Sequence, residues 1–326
     1  MTGRLVASAL VVIALGCLPF ILHSEFWLSF WILVLLYAVL GQAWNVLGGY
    51  GGQFSFGHAT FFGTGAYATA VLQLRLGVDA WSAAALALAA GAIIAAMVGA
   101  LSFRYGLKGS YFALVTLAFA EVFRILAHSA AGLTGGGAGL LIPLHPDAAH
   151  FQFADRRVFF YVALVILAAS LAIAAWLEHS RFGARLVALR ENEAAAQALG
   201  IDVFRIKLGA ITLSGALAAA AGILYAQLFL YLDPGLAFGP GMSIEALLVP
   251  IVGGVGTMFG PLVGAIALHA LGQLATALTG DAPGLNLVLY GVLLILALRF
   301  LPTGLVGLLR GAVARLTAMR RPPRHA

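Results

Sequence analysis

Long apolar runs recur along the chain, separated by short polar breaks or by breaks marked with glycine and proline. A helix needs about 20 residues to cross the hydrocarbon core of a bilayer, so runs of this length predict membrane-spanning helices. The pattern predicts an all-α polytopic membrane protein of about ten transmembrane helices, with glycine-rich broken or re-entrant segments and a short helix outside the bilayer. The spans are expected at 5–22, 26–47, 58–74, 81–101, 110–127, 158–177, 206–230, 243–256, 260–278 and 286–301.

Composition places the protein in a membrane. Of the 326 residues, 62% are hydrophobic and only 9% are charged. A soluble domain could not cover so much apolar surface, whereas lipid solvates it. The whole chain, 1–326, is expected to form a single transmembrane domain, whose first run is an uncleaved helix and not a signal peptide. Cys17 is the only cysteine, so no disulfide within the chain is expected. The histidines lack the spacing of metal ligands, so neither a metal site nor an enzymatic activity is expected.

The distribution of lysine and arginine predicts the orientation. Basic residues concentrate in 102–108, in 178–205 and in the tail 302–326, which carries five arginines and no acid. Because cytoplasmic loops are enriched in these residues, the three segments and both termini are expected inside the cell. Arg156 and Arg157 are the exception, since they fall on the outer side. The net charge of +6 then reflects topology and anionic lipid headgroups, not nucleic acid.

Two glycine-rich segments interrupt the apolar pattern. We call 48–58 the first break and 253–261 the second break; both begin with the pattern G-G-x-G. Non-helical backbone at membrane depth survives only where protein or a water-filled cavity satisfies its amides, and transporters line their substrate route with such breaks. Ordinary tight turns between short helices are the alternative. The polar residues near the first break are candidates for a translocation pathway: Gln42, Asn45, Gln53, Ser55 and His58.

Three of the ionisable residues inside the predicted spans, Glu121, Arg124 and Glu245, also join the pathway candidates. Glu121 and Arg124 are three residues apart, so they share a helix face and can form a structural ion pair instead. Glu245 stands at the start of the span 243–256, where it could contact a cationic group or cap the helix.

Small residues recur every four positions in the span 206–230. This spacing puts them on one helix face, where another helix backbone can approach closely. The face is predicted to be a packing seam and contains Ser214, Ala218, Gly222 and Ala226.

The segment 178–207, which we call the loop segment, carries nine of the thirty formally charged residues. Acidic or capping residues at 191–193 suit the start of a helix, and a run of alanines follows. Gly200 suits the end of that helix, and Asp202 can cap the next one. A short helix outside the bilayer is therefore expected. It is either a solvated connector or a docking surface for another polypeptide.

Several sequence blocks resemble the branched-chain amino acid permease family, specifically its LivM-type subunit. The blocks cover 45–70, 107–126, 133–140, 180–207 and 249–265. Within the loop segment, 191–200 is similar to the coupling loop of ABC-importer permeases, although Glu193 stands one residue early or Ala194 replaces the usual acid. The resemblance implies an ATPase-coupling site formed by Glu191, Glu193, Ala194, Ala195, Ala196 and Gly200.

The family resemblance also implies partners. They are a LivH-type permease subunit, two cytoplasmic ATP-binding subunits of LivG and LivF type, and a periplasmic binding protein that delivers leucine, isoleucine or valine. The chain would lie in the bacterial inner membrane and work by alternating access. The sequence has no G-x-x-x-x-G-K-[ST] phosphate loop, so ATP and Mg would be used by the partner subunits and no cofactor by this chain.

Other functions fit parts of the pattern. The same type of importer could carry urea, short amides or other amino acids. A stand-alone secondary transporter or channel driven by an ion gradient would need a buried carboxylate, for which Glu121 is the candidate well inside a span. Such a transporter would leave the loop segment without a purpose, and a structural scaffold would leave the first break unexplained.

Overall fold

Helices make up most of the computed structural model, which describes residues 2–22, 24–279, 284–300 and 304–308. The α-helices of these residues are α1 (Thr2–Gly16), α2 (Leu18–Ile21), α3 (Glu25–Trp44), α4 (His58–Leu76), α5 (Ala80–Arg104), α6 (Gly109–Ser129), α7 (Ala131–Thr134), α8 (Arg156–His179), α9 (Arg181–Glu191), α10 (Glu193–Ala198), α11 (Val203–Phe229), α12 (Pro234–Ala237), α13 (Pro240–Gly253), α14 (Gly260–Thr279) and α15 (Leu285–Phe300).

Short elements of other types join these helices. A π-helical turn, Asn45–Tyr50, extends α3 into the first break, and two 3-10 turns lie at Gly136–Ala138 and Ala148–His150. Two strands, β1 (Leu140–Leu141) and β2 (Tyr231–Leu232), pair antiparallel. Among the described residues, this two-residue ladder is the only regular structure that is not helical.

Within the described residues, seven helical segments are long and apolar enough to cross a membrane. They are Glu25–Tyr50, Ala80–Arg104, Gly109–Ser129, Arg156–His179, Val203–Phe229, Pro234–Gly253 and Gly260–Thr279. All ten predicted spans overlap a helix. Three of these helices are not among the seven, because α1 and α15 are too short and α4 is too polar. The count of ten spans therefore stays a prediction.

One predicted span begins too late in the sequence. The expectation was 243–256, whereas helix begins at Pro234 in α12 and again at Pro240 in α13. Proline suits the first turn of a helix because its missing N–H would have no intrahelical partner there. The two prolines therefore start helices that the apolar pattern alone did not indicate.

The core is built around α11, which packs against α3, α4 and α5. A Cβ added at Gly222 would lie 2.0 Å from the carbonyl oxygen of Phe62, and one at Gly215 would lie 2.1 Å from Cβ of Ala95. Backbones approach this closely only where side chains are absent or small. We call the contact of α11 with α4 and α5 the small-residue seam. Its buried residues include all four members of the predicted stripe, Ser214, Ala218, Gly222 and Ala226.

Ion pairs show which segments share an end of the bundle. Lys108 Nζ lies 3.0 Å from Glu193 Oε1, so 102–108 and the loop segment share what we call the loop end. Arg156 Nε lies 3.3 Å from Glu25 Oε2 at the opposite, far end. Each pair joins segments that the charge pattern predicted on one side of the membrane. The tail 302–326, apart from 304–308, lies outside the described residues.

Candidate functional site

The loop segment contains two short helices, where the sequence predicted one. Ser180 begins α9 by accepting a hydrogen bond from the amide of Gly183 at 3.0 Å. Asn192 ends α9 and begins α10, accepting from the amide of Ala195 at 3.0 Å. Gly200 has a φ of 81°, and Asp202 caps α11 by accepting from the amide of Arg205. The caps predicted at Asn192, Gly200 and Asp202 are observed, but Glu191 ends α9 and does not begin the short helix, and α9 itself was missed.

One face of α10 is exposed and carries small or apolar side chains. Ala194 and Ala195 are exposed, while Ala196 is buried against the bundle. Leu199, just after the helix, is 83% exposed. A single exposed leucine is ordinary on a protein surface, so its significance here depends on the exposed alanines of the same short helix beside it. Sequence reasoning missed Leu199, although an apolar residue next to the helix-ending Gly200 was visible.

Glu193 anchors α10 to the bundle. Lys207 Nζ donates to its Oε2 at 2.7 Å, and Lys108 Nζ approaches its Oε1 at 3.0 Å. Lys207 is only 3% exposed and lies 5.6 Å from the centre of the Phe103 ring, at a distance suited to a cation–π interaction. Burial acts to raise the pKa of Glu193, but the two lysines outweigh it and hold the pKa below its ordinary value. Glu193 therefore connects α10, through two charged contacts, to the first turns of α11 and to the N-cap residue of α6.

Arg190 at the end of α9 reaches into the first break. Its Nη1 donates to the carbonyl oxygen of Gly49 at 2.9 Å. Its Nη2 and Nε donate to Glu191 Oε1 at 2.7 and 3.1 Å. Glu191, a predicted coupling residue, is thus paired with Arg190.

Asn45 joins the two breaks. It is fully buried, its Nδ2 donates to the carbonyl oxygen of Thr257 at 3.0 Å, and its Oδ1 accepts from the amide of Gly256 at 2.8 Å. Asn45 thus provides hydrogen-bond partners for two backbone groups of the second break, and lipid could not provide them. The structure therefore brings together two breaks that the sequence could only compare.

The other polar residues near the first break are also buried. His58 Nε2 lies 2.8 Å from Ser214 Oγ, so one pathway candidate contacts a residue of the small-residue seam. Ser55 Oγ accepts from the amide of Gly57 at 3.2 Å, and Gln53 Nε2 donates to the carbonyl of Gly51 at 3.2 Å. Neither amide atom of the Gln42 side chain has a hydrogen-bond partner among the described residues. A pathway role for these residues stays a prediction.

The ionisable residues within the spans are placed differently from one another. Arg124 donates from Nε to Glu121 Oε2 at 2.9 Å, so the predicted ion pair is confirmed, on a partly exposed face of α6. Glu245 lies inside α13 and not at its start. The suggestion that it caps the helix is wrong because Gly239 is the N-cap and Pro240 opens the helix. Its Oε2 is buried without a hydrogen-bond partner in the described part of the chain.

Comparison with known proteins identifies the family. Residues 26–298 match a family model described as the permease component of a branched-chain amino acid transport system. The chain belongs to this permease family. It is therefore a membrane transport subunit, and the resemblance drawn from the sequence blocks is confirmed.

Individual relatives agree with the family match. The chain is 30% identical over 330 residues to the high-affinity branched-chain amino acid transport system permease protein LivM of Salmonella typhimurium, covering 94% of this chain and 76% of the relative. It is also 30% identical over 301 residues to the protein of the same name from Escherichia coli, covering 85% of this chain and 69% of the relative. Identity to LivH of Escherichia coli is 25% over 289 residues, covering 83% and 91%. No solved structure matches the chain.

Proposed function

We propose that the chain is one permease subunit of an ATP-binding-cassette importer that moves branched-chain amino acids, or a related small solute, inward across the bacterial inner membrane. Similarity to relatives named LivM and LivH supports the solute class and a pair of permease subunits. The remaining partners are two cytoplasmic ATP-binding subunits, which use ATP and Mg, and a periplasmic binding protein. The chain forms a single transmembrane permease domain with both termini inside.

The observation that carries the proposal is the form of the loop segment. Its exposed face, formed by Ala194, Ala195 and Leu199, is small and apolar, which suits insertion into a groove of an ATP-binding subunit. Its hidden face is tied to the bundle through Glu193. A force applied to the exposed face is therefore carried into α6 and α11, which is what alternating access requires.

In this proposal the solute route passes the first break. Its buried polar groups, with the unpartnered side-chain atoms of Gln42 and Glu245, would be exposed when the bundle opens. Glu121 and Arg124 on the partly exposed face of α6 would then face the route or the second permease subunit, because a charged pair in contact with lipid is costly.

Replacing Leu199 tests the docking role. Leu199→Asp puts a charge on the exposed apolar face, so we expect at least an approximately tenfold loss of the ATP-binding subunits that co-purify with the chain. Leu144→Asp is the matched control, because Leu144 is also an exposed leucine but lies between β1 and α8, at the far end of the bundle. Undiminished assembly and uptake with Leu199→Asp would contradict the docking role.

Reconstitution tests the importer class. With both ATP-binding subunits, the second permease and the binding protein in liposomes, uptake of leucine, isoleucine or valine is expected to require ATP hydrolysis. The chain alone is expected to show no flux under a proton or sodium gradient. Gradient-driven flux by the lone chain would instead support an ion-coupled secondary transporter.

A further inference from the structure

Three segments that are distant in sequence meet at the loop end. The end of α9 contacts the first break through Arg190, and Asn45, in the π-helical turn that leads into the first break, binds the second break. Tyr50, also in the first break, donates from its hydroxyl to Glu178 Oε1 at 3.1 Å. The end of α8 and the end of α9 are therefore both connected to the first break, and the second break is connected through Asn45.

Glycines make these contacts possible. A Cβ at Gly49 would lie 2.1 Å from Asn45 Oδ1, and one at Gly52 would lie 2.6 Å from Cγ of Arg190. Gly52 and Gly256 also have positive φ values of 65° and 69°, which side chains disfavour. The absence of side chains at Gly49 and Gly52 therefore leaves the space that the Asn45 and Arg190 side chains occupy.

The two contacts differ in how readily they can open. Asn45 is fully buried and bonded at both side-chain amide atoms, so its contact holds the two breaks together as one unit. Arg190 is partly exposed, and Glu191 binds the same guanidinium. A charged donor makes the stronger kind of hydrogen bond, but water competes for it at a partly exposed position, so this contact is released more easily than the buried bonds of Asn45. Arg190 is therefore the link between α9 and the joined breaks, and the breaks follow α9 only while that link holds.

The geometry points to Arg190 and Asn45 as positioning residues that transmit movement of the loop segment to both breaks together. We call these two residues, with the backbone groups of Gly49, Gly256 and Thr257 that they bind, the break latch. The inference rests on the proposed function, because it assumes that a partner moves the loop segment. Without the latch, the loop segment can still be driven but the breaks no longer follow it. ATP hydrolysis then continues while transport per ATP falls.

A reconstituted complex separates coupling from assembly. Arg190→Ala is compared with Arg185→Ala, which removes the same charge from an exposed position on α9. We expect both variants to assemble and to hydrolyse ATP, while solute moved per ATP falls about tenfold in Arg190→Ala alone. Arg190→Lys keeps the charge but loses the several N–H donors of the planar guanidinium, so its transport per ATP should lie between those of the wild type and Arg190→Ala. Unchanged transport per ATP in Arg190→Ala would overturn the latch. A wild-type complex without ATP-driven uptake would instead contradict the proposed function.

Cysteine labelling tests the latch without any transport. In a Cys17→Ser chain, Met258→Cys places a reporter in the second break at a position that is 2% exposed, and Val255→Cys places a control at one that is 40% exposed. A water-soluble thiol reagent should label position 258 about tenfold faster when Arg190→Ala or Asn45→Asp is added, with position 255 unchanged.

The double variant decides whether the two residues act as one unit. Arg190→Ala with Asn45→Asp should label position 258 no faster than the more reactive single variant, because both changes release the same element. Asn45→Asp keeps the size of the side chain and an acceptor for Gly256, and the thermal midpoint of each variant in detergent reports whether it folds. Labelling at position 258 that stays at the wild-type rate in folded variants would overturn the latch.

Discussion

The small-residue seam and the loop end hold the molecule together by different means. In the seam, α11 meets α4 and α5 through close backbone packing at residues such as Gly222, and the His58–Ser214 pair adds one polar contact. At the loop end, α9 and α10 bury a few apolar side chains, and charged contacts from Arg190 and Glu193 tie them to the first break and to α11. Close backbone packing tolerates little movement, whereas single polar contacts can break and reform. The seam is therefore suited to move as one rigid body, and the loop end to move relative to it.

The largest effect is expected from filling the seam. Gly222→Ala places a Cβ 2.0 Å from the carbonyl oxygen of Phe62, so α4 and α11 must separate. We expect destabilisation of about 2–3 kcal/mol, measured as a lower thermal midpoint in detergent. Gly272→Ala in α14 is the control, because no other group lies within 4 Å of its Cβ position. Equal stability of the two variants would show that the seam is not closely packed.

The next effect comes from removing the anchor of α10. Glu193→Gln leaves the buried ammonium of Lys207 without its carboxylate, which should cost about 2 kcal/mol and loosen the loop segment. Faster hydrogen exchange in 193–207 would measure it. Adding Lys207→Met to Glu193→Gln should recover part of the stability, since the uncompensated charge is gone. A double variant as unstable as the sum of the single ones would contradict the anchor.

Acid should act on the same contact. The pKa of Glu193 is lowered in the folded protein, so the tie is fully present above the ordinary value of 4.5 and is lost as pH falls through the lower folded value. Hydrogen exchange in 193–207 should therefore be insensitive to this group from neutral pH down to about 4.5 and should accelerate below that. Glu193→Gln should remove this step. A step at neutral pH that disappears in Glu193→Gln would contradict the assignment.

The smallest effect should come from Lys108, which is 62% exposed in its ion pair with Glu193. Solvent and salt screen such a pair, so Lys108→Gln should cost less than about 1 kcal/mol. Thermal unfolding at low and high salt measures it, with Glu193→Gln as the comparison. If Lys108→Gln is as damaging as Glu193→Gln, the buried lysine is not the main partner.

Local features of the fold could be predicted from the sequence. The apolar runs located the helices, and the caps at Asn192, Gly200 and Asp202 followed from residue types whose preferred partners lie within a few positions. The starts at Pro234 and Pro240 were missed because the apolar pattern was weighed above the helix-start signal.

Contacts across the chain could not be predicted in this way. Arg190 and Gly49 are 141 residues apart, and Asn45 and Gly256 are 211 apart. Asn45 was selected because it is polar beside a glycine-rich break, but its partners are backbone groups whose position depends on how the helices pack. The pairing of Glu193 with Lys207 likewise needs the chain to reverse between α10 and α11.

A reporter at position 199 shows on which side of the membrane the loop segment lies and whether partner subunits cover it. In a Cys17→Ser chain carrying Leu199→Cys, a membrane-impermeant thiol reagent should label position 199 in inside-out vesicles and not in intact cells. The ATP-binding subunits should protect it. Labelling from the outside of intact cells would contradict the proposed docking role, because a cytoplasmic ATP-binding subunit cannot bind a surface that faces outside the cell.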